Sequence, residues 1–137
     1  MWTALTLDTL INLLLAVALG AAVGIEREHA HRPAGLRTHM LVSLGSCLFT
    51  IISASFHTDP AHVASGIVAG IGFIGAGTIW AEKDRVQGIT TAASLWATAA
   101  IGLTTGVGDY PLAVFVTVLV VVILSSKYIL KRIGIEQ

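Results

Sequence analysis

Apolar residues fill five stretches of the chain, each near the about 20 residues a helix needs to cross about 30 Å of hydrocarbon. They run roughly from Leu5 to Ile25, Leu36 to Phe56, Val63 to Ala81, Ile89 to Thr105 and Pro111 to Leu130. Between them lie "HRPAG", "HTDPAH", "EKDRVQG" and "GVGDYP", whose proline, glycine and aspartate end one helix and start the next. The pattern predicts an all-α polytopic membrane protein, a bundle of about five transmembrane helices forming a single domain over residues 1–137.

Spacing within the stretches predicts which faces pack. In lipid, helices associate through small residues that let backbones approach and through hydrogen bonds between helices. The first stretch carries Asn12, Ala16, Gly20, Gly24 and Glu28 at spacing four, a seam on one face that leads to a carboxylate. In the third, Gly66, Gly70, Phe73 and Gly77 share one face while Gly72, Gly75 and Ala76 lie on another. Two small-residue faces imply two close neighbours, and place this helix centrally in the bundle or at the seam of a homo-oligomer. The fourth carries Thr91, Ser94, Thr98 and Thr105 near one stripe, with Gly102 and Gly106 on a shared edge. Those hydroxyls either bond back to their own helix, bond to another helix, or line a polar path. The fifth is rich in branched residues and reads as a lipid-facing peripheral helix.

Composition agrees with lipid as the main solvent. Of 137 residues, 55% are hydrophobic and 12% charged, the mean hydropathy is +0.83, and soluble domains carry about a quarter charged residues. Net charge is zero with no basic block, so nucleic acid is not an expected partner. The single cysteine, Cys47, rules out an intramolecular disulfide and reads as a small packing hydrophobe. The letters G-x-G-x-x-G from Gly70 to Gly75 follow no strand and lie inside an apolar span, so they are not a phosphate-binding loop. No nucleophile with its base, metal box or cofactor motif points to an enzyme.

All eight Lys and Arg fall at one side of a five-span bundle: Arg27, Arg32 and Arg37 around the first loop, Lys83 and Arg85 in the third, Lys127, Lys131 and Arg132 at the tail. The positive-inside rule makes that side cytoplasmic, with the N-terminus out and the C-terminus in. Ala16-Val17-Ala18 would suit a signal-peptide cleavage site, but no Lys or Arg precedes it, so the first helix is expected to be retained. One-sided charge also argues against a small dual-orientation fluoride channel.

The stretch "GIEREHAHRPAGLRTHM", Gly24 to Met40, gathers Glu26, Arg27, Glu28, Arg32 and Arg37 with His29, His31 and His39. Topology accounts for the arginines but not for the carboxylates, which contribute little to orientation. If the first helix continues past Ile25, Glu26 and Glu28 point to different sides and each needs a partner, with Arg27, Arg37, Lys83 or Arg85 as the available cations. One reading is an ion-pair network that locks the cytoplasmic helix ends; the other is a binding or gating site for a cation, a proton or a partner protein. Magnesium would need oxygens from Glu26, Glu28 and Asp84 on converging loops, and the nearby basic residues oppose it. No cofactor is expected. His29 and His31 read as solvated, and His57, Asp59 and His62 as an outward loop in which Asp59 caps the helix that Pro60 begins.

The blocks "GIEREHAHRPAGLRTHMLVSLG", "DPAHVASGIVAGIGFIGAGTIW" and "VQGITTAASLWATAAIGLTTGVGDY", in that order, resemble the MgtC/SapB family of bacterial membrane proteins over roughly residues 12–110. The resemblance implies a multi-pass protein of the bacterial inner membrane, linked to magnesium limitation, acid stress or virulence. It also implies a regulator of other membrane proteins, a membrane ATPase or a transporter among them, more than a transporter itself. The chain departs from the family pattern at His62, where an arginine often follows the Asp-Pro pair. Many members continue into a small ligand-sensing cytoplasmic domain, so a chain ending soon after Lys131 and Arg132 is expected to be a short member or a piece of a longer protein. The expected function is a non-enzymatic regulator acting through Glu26, Arg27, Glu28, Arg37 and His39. The alternative is a small magnesium or proton channel with a path along Thr91, Ser94 and Thr98.

Overall fold

The computed structural model describes residues 6–56, 59–82 and 85–132, and the side chains of these apart from residues 60, 82 and 127–132. The elements are α1 (Leu7–His29), α2 (Leu36–Ser53), α3 (Pro60–Ala76), β1 (Trp80–Glu82), β2 (Arg85–Gln87), α4 (Ile89–Val107) and α5 (Tyr110–Arg132). Lys83, Asp84 and His57 lie outside the described residues.

Local chemistry sets the helix ends. Thr6 caps α1 through its hydroxyl, Asp59 caps α3 by accepting from Ala61 N at 2.9 Å, and Asp109 accepts from Leu112 N at 3.2 Å at the start of α5. α1 runs a full turn beyond Ile25. It ends where Arg32 N donates to Arg27 O at 3.1 Å and His31 N to Glu28 O at 3.0 Å, a Schellman motif with His31 at the left-handed position, φ 53°. Glycine is the usual occupant there, because a β-carbon in that conformation is strained. His31→Gly is expected to raise stability by about 1 kcal/mol, read as a higher unfolding midpoint in detergent. α4 ends in the same way with Gly108 at φ 92°.

The third apolar stretch does not remain helical to Ala81. Helix α3 ends at Ala76, Thr78 Oγ1 donates to Gly75 O at 2.8 Å, and Trp80 enters an antiparallel hairpin opposite Gln87, with Ala81 opposite Val86 and Glu82 opposite Arg85. Gly88, at φ 90°, turns the chain into α4 under the Thr78 carbonyl, where a β-carbon has no room. A short apolar run bounded by glycine fits a strand as well as a helix, and hydropathy alone does not separate them.

Nor is α3 the centre of the bundle. That place belongs to α4, which touches all four other helices, whereas among the described residues α3 packs chiefly on α2 and α4. The composition of α4 explains this: its alanines, glycines and hydroxyl residues admit close neighbours, and between its ends only the stripe through Ala93, Trp96 and Ala100 is left exposed. Leu95, Thr98, Thr105 and Ile101 are buried in it, and Val23 and Leu124 close the α1–α4–α5 side. Helix α5 buries Ala113, Thr117 and Leu124 and leaves Phe115, Val118, Val122 and Ile123 on its outer face.

Consecutive helices alternate in direction. At one end the Tyr110 hydroxyl donates to Asn12 Oδ1 at 2.5 Å, joining the starts of α5 and α1. At the other, Arg27 near the end of α1 donates to Leu124 O of α5 at 3.4 Å, and His39 near the start of α2 meets Ser94 near the start of α4. Among the described residues, two helices, Leu7–His29 and Leu36–Ser53, are long and apolar enough to cross a membrane. The interior mixes polar and apolar residues while the outside is largely apolar: His39, Ser43, Thr98 and Thr105 are fully buried, as are Leu95 and Val23, and Leu14, Leu41, Phe73 and Phe115 are exposed. A water-soluble bundle has a more polar outside.

Candidate functional site

The charged segment forms a cluster where the end of α1 meets the starts of α2 and α4. Because α1 continues through His29, Glu26, Arg27 and Glu28 are helical and diverge. Glu26 and Arg27 form an ion pair through Oε2 and Nε, and their side chains are 9% and 4% exposed. Arg27 also donates to Leu124 O. The second carboxylate oxygen of Glu26, Oε1, is buried without a hydrogen-bond partner among the described residues, a costly state for an ionised group.

Glu28 has a different task. Helix α2 begins at Gly35, which has no side chain to cap it, and the Glu28 carboxylate reaches across to accept from Leu36 N at 2.9 Å. A β-carbon on Gly35 would fall on that carboxylate. An anion at a helix N-terminus satisfies an orphan N–H and meets the positive end of the helix dipole. Glu28 therefore staples α1 to α2 through backbone, not through an arginine. Arg37 is exposed, as are His29 and His31, which turn Nδ1 to Ile25 O at 2.8 Å and His29 O at 3.0 Å.

His39 is fully buried, with Nδ1 2.8 Å from Gly35 O and Nε2 3.0 Å from Ser94 Oγ. The structure thus brings Glu26, Arg27, Glu28 and His39 together with Ser94 and leaves Arg37 outside. The bond between His39 and Ser94 is absent from any local sequence pattern, since 55 residues separate them. Among the described residues, no group of three His, Cys, Asp or Glu gathers to hold a metal ion.

Glycines bring the elements this close. A β-carbon at Gly20 would lie 2.7 Å from His39 O, one at Gly24 2.7 Å from Leu36 Cα, and one at Gly106 2.8 Å from Cys47 O. One at Gly102 would lie 2.9 Å from Ser43 Cα and nearer still to the Ser43 carbonyl oxygen. Helix α2 is gripped between α1 and α4. Ser43, pressed by both, is buried with its hydroxyl unpartnered, and nothing in its local sequence marks it out.

The α3 glycines behave differently. A β-carbon at Gly75 would lie 3.4 Å from Ala92 Cβ and Gly77 caps the helix, but β-carbons at Gly66, Gly70 and Gly72 would meet nothing within 4 Å. Gly66, Gly70 and Gly45 line an open groove of about 730 Å³ between α2 and α3. The hydroxyl stripe of α4 faces inward and bonds to its own backbone: Ser94 Oγ to Thr91 O, Thr98 Oγ1 to Ser94 O and Thr105 Oγ1 to Ile101 O, each at 2.8 Å. Thr91 is buried beside them.

The fold is an all-α bundle of five helices with a large apolar exterior and a buried ion pair at one end. The chain belongs to the MgtC family, whose model matches residues 13–133. It is 44% identical over 112 residues to Protein MgtC of Salmonella typhimurium, covering 81% of this chain and 48% of that one. It is 39% identical over 131 residues to the Escherichia coli K12 protein named "Putative magnesium transporter YhiD", covering 88% of this chain and 61% of that one. An uncharacterized Haemophilus influenzae protein is 36% identical over 133 residues, covering 88% of this chain and 56% of its own. The chain therefore spans about half to three-fifths of the length of these relatives. No solved structure matches it.

Proposed function

We propose that this protein is a multi-pass component of the bacterial inner membrane, N-terminus out and C-terminus in, that acts without catalysing a reaction by regulating other membrane proteins under magnesium limitation or acid stress. The observation that carries this reading over transport is the state of the α4 stripe. Ser94, Thr98 and Thr105 are buried and turn their hydroxyls onto their own helix, and Gly102 closes that helix against Ser43. Each of these hydroxyls keeps lone pairs when it donates to its own backbone, so what weighs against a path is close packing: Thr98 and Thr105 are fully buried among the helices. The charged end, with Arg37 exposed beside the buried cluster, offers a surface to a partner such as a membrane ATPase or transporter. The open Gly66 and Gly70 face of α3 suits a second copy, since small residues four apart are what close helix pairs in lipid require.

Transport along Thr91, Ser94 and Thr98 is the alternative reading, to which the name given to YhiD also points, and flux decides between the two. Wild type and Glu28→Gln, which keeps an oxygen to cap α2, are expected to show no magnesium or proton flux in proteoliposomes with either ion varied on each side. Flux in the wild type that falls in Glu28→Gln would overturn the regulator reading.

A further inference from the structure

Hydrogen bonds around His39 fix more than its position. The Gly35 carbonyl oxygen, 2.8 Å from Nδ1, can only accept, so Nδ1 carries a proton whatever the charge of the ring. Nε2 lies 3.0 Å from Ser94 Oγ, and the same hydroxyl lies 2.8 Å from Thr91 O. A hydroxyl has one hydrogen and two lone pairs, so two arrangements leave every one of these atoms partnered. With Nε2 bare, Ser94 donates to the ring. With Nε2 protonated, the ring donates to Ser94 Oγ and the hydroxyl hydrogen turns to Thr91 O. The heavy atoms need not move between them.

The surroundings bear on the same ring. From α1 the charges acting on His39 are those of Glu26 and Arg27, and Glu26 Oε1 is a buried acceptor with no donor among the described residues. From α4 it meets Ser94, which does not titrate. The charged neighbour on its own helix, Arg37, is exposed. Burial opposes a positive ring most strongly and Arg27 opposes it further, while the bond to the Gly35 carbonyl and the Glu26 carboxylate favour it.

We propose that His39, with Ser94 and the Gly35 carbonyl, forms a buried proton-binding site that bridges α2 and α4. One proton from solution adds to Nε2, the Ser94 hydroxyl hydrogen swings from Nε2 to Thr91 O, and the neutral bridge becomes a charge-assisted one. Such bonds are roughly twice as strong as neutral ones, so the joint between the two helices tightens when the proton is bound. This deepens the proposed function and rests on it only in taking the charged end as the part that responds to ions: the ion is a proton and the sensor is His39.

The test is nitrogen NMR of the histidine-labelled protein in proteoliposomes, titrated from about pH 8 to about pH 5, with His39→Gln to identify the signal. The expected neutral ring carries its proton on Nδ1, the less common tautomer in water, and gains a second on Nε2 as the pH falls. Ser94→Ala removes the acceptor the cation needs. At the wild-type midpoint its protonated fraction is expected to fall from half to about a tenth, the effect of one pH unit. That shift identifies the signal even if His39→Gln does not insert. A neutral ring protonated on Nε2, a ring whose charge never changes across the range, or a Ser94→Ala variant that titrates like wild type would each overturn the site. Copurification of membrane partners at both pH values separates the two proposals: partners retained without His39 titration defeat the proton site alone, and titration without partners defeats the regulator reading alone.

Discussion

Gly102→Ala is expected to prevent the bundle from closing, or to lower its stability by about 3 kcal/mol or more. Overpacking usually costs about 1–3 kcal/mol because side chains yield. At Gly102 nothing flexible can yield: the added carbon meets the Ser43 carbonyl, its carbon and its Cα, all backbone of α2. Relief requires α2 to withdraw from α4, and that would also pull His39 from Ser94 and loosen the contacts at Gly20 and Gly24. Gly66→Ala and Gly70→Ala are the controls, since their β-carbons meet nothing within 4 Å. Helix propensity favours alanine over glycine by about 1 kcal/mol, so these variants are expected to keep or raise the stability of the single chain. If the second copy sits on that face, they lose self-association while the fold persists. Unfolding midpoints in detergent and oligomer size on the same samples check both halves. A Gly102→Ala protein as stable as Gly66→Ala would mean that the α2–α4 contact is not what holds the bundle.

The contrast between these glycines also shows what the sequence could and could not convey. Apolar length and the breakers between stretches locate five helices, and Asp59 before Pro60 announces a cap, because both follow from local chemistry. Glycines at spacing four on α1 announce a close neighbour, and His39 O and Leu36 Cα are found there. The same spacing on α3 meets no neighbour within 4 Å at Gly66 and Gly70, because spacing reports a capacity for contact and not its occupant. Which helix is central depends on all five packing together, and α4 takes that position with a composition that looks less apolar than its neighbours. The hairpin was hidden by the apolar character of Ile79 and Trp80. At the charged end, the divergence of Glu26 and Glu28 is legible from helix periodicity, but their partners are not. Glu28 meets a backbone N–H, an acceptor-donor match that charge patterns do not display, and Glu26 takes its immediate neighbour Arg27, a pairing that helical spacing rules do not favour.

That pair gives the second large effect. Arg27→Ala is expected to destabilise the protein by about 3–5 kcal/mol, because it leaves the Glu26 carboxylate buried with no donor to either oxygen. Truncating an exposed arginine such as Arg37 removes no buried contact and is expected to cost under about 0.5 kcal/mol. The loss at Arg27 should fall when the stranded charge is removed too: Glu26→Gln combined with Arg27→Met is expected to be more stable than Arg27→Ala and less than additive over its two single changes. A double-mutant cycle measures that coupling, expected at about 1.5 kcal/mol or more for groups this desolvated. High salt should leave it nearly unchanged, since buried pairs are weakly screened. Additive losses that shrink with salt would place Glu26 and Arg27 in water. The unpartnered Glu26 Oε1 would then be hydrated, and the field around His39 would lose the fixed carboxylate that favours its second proton.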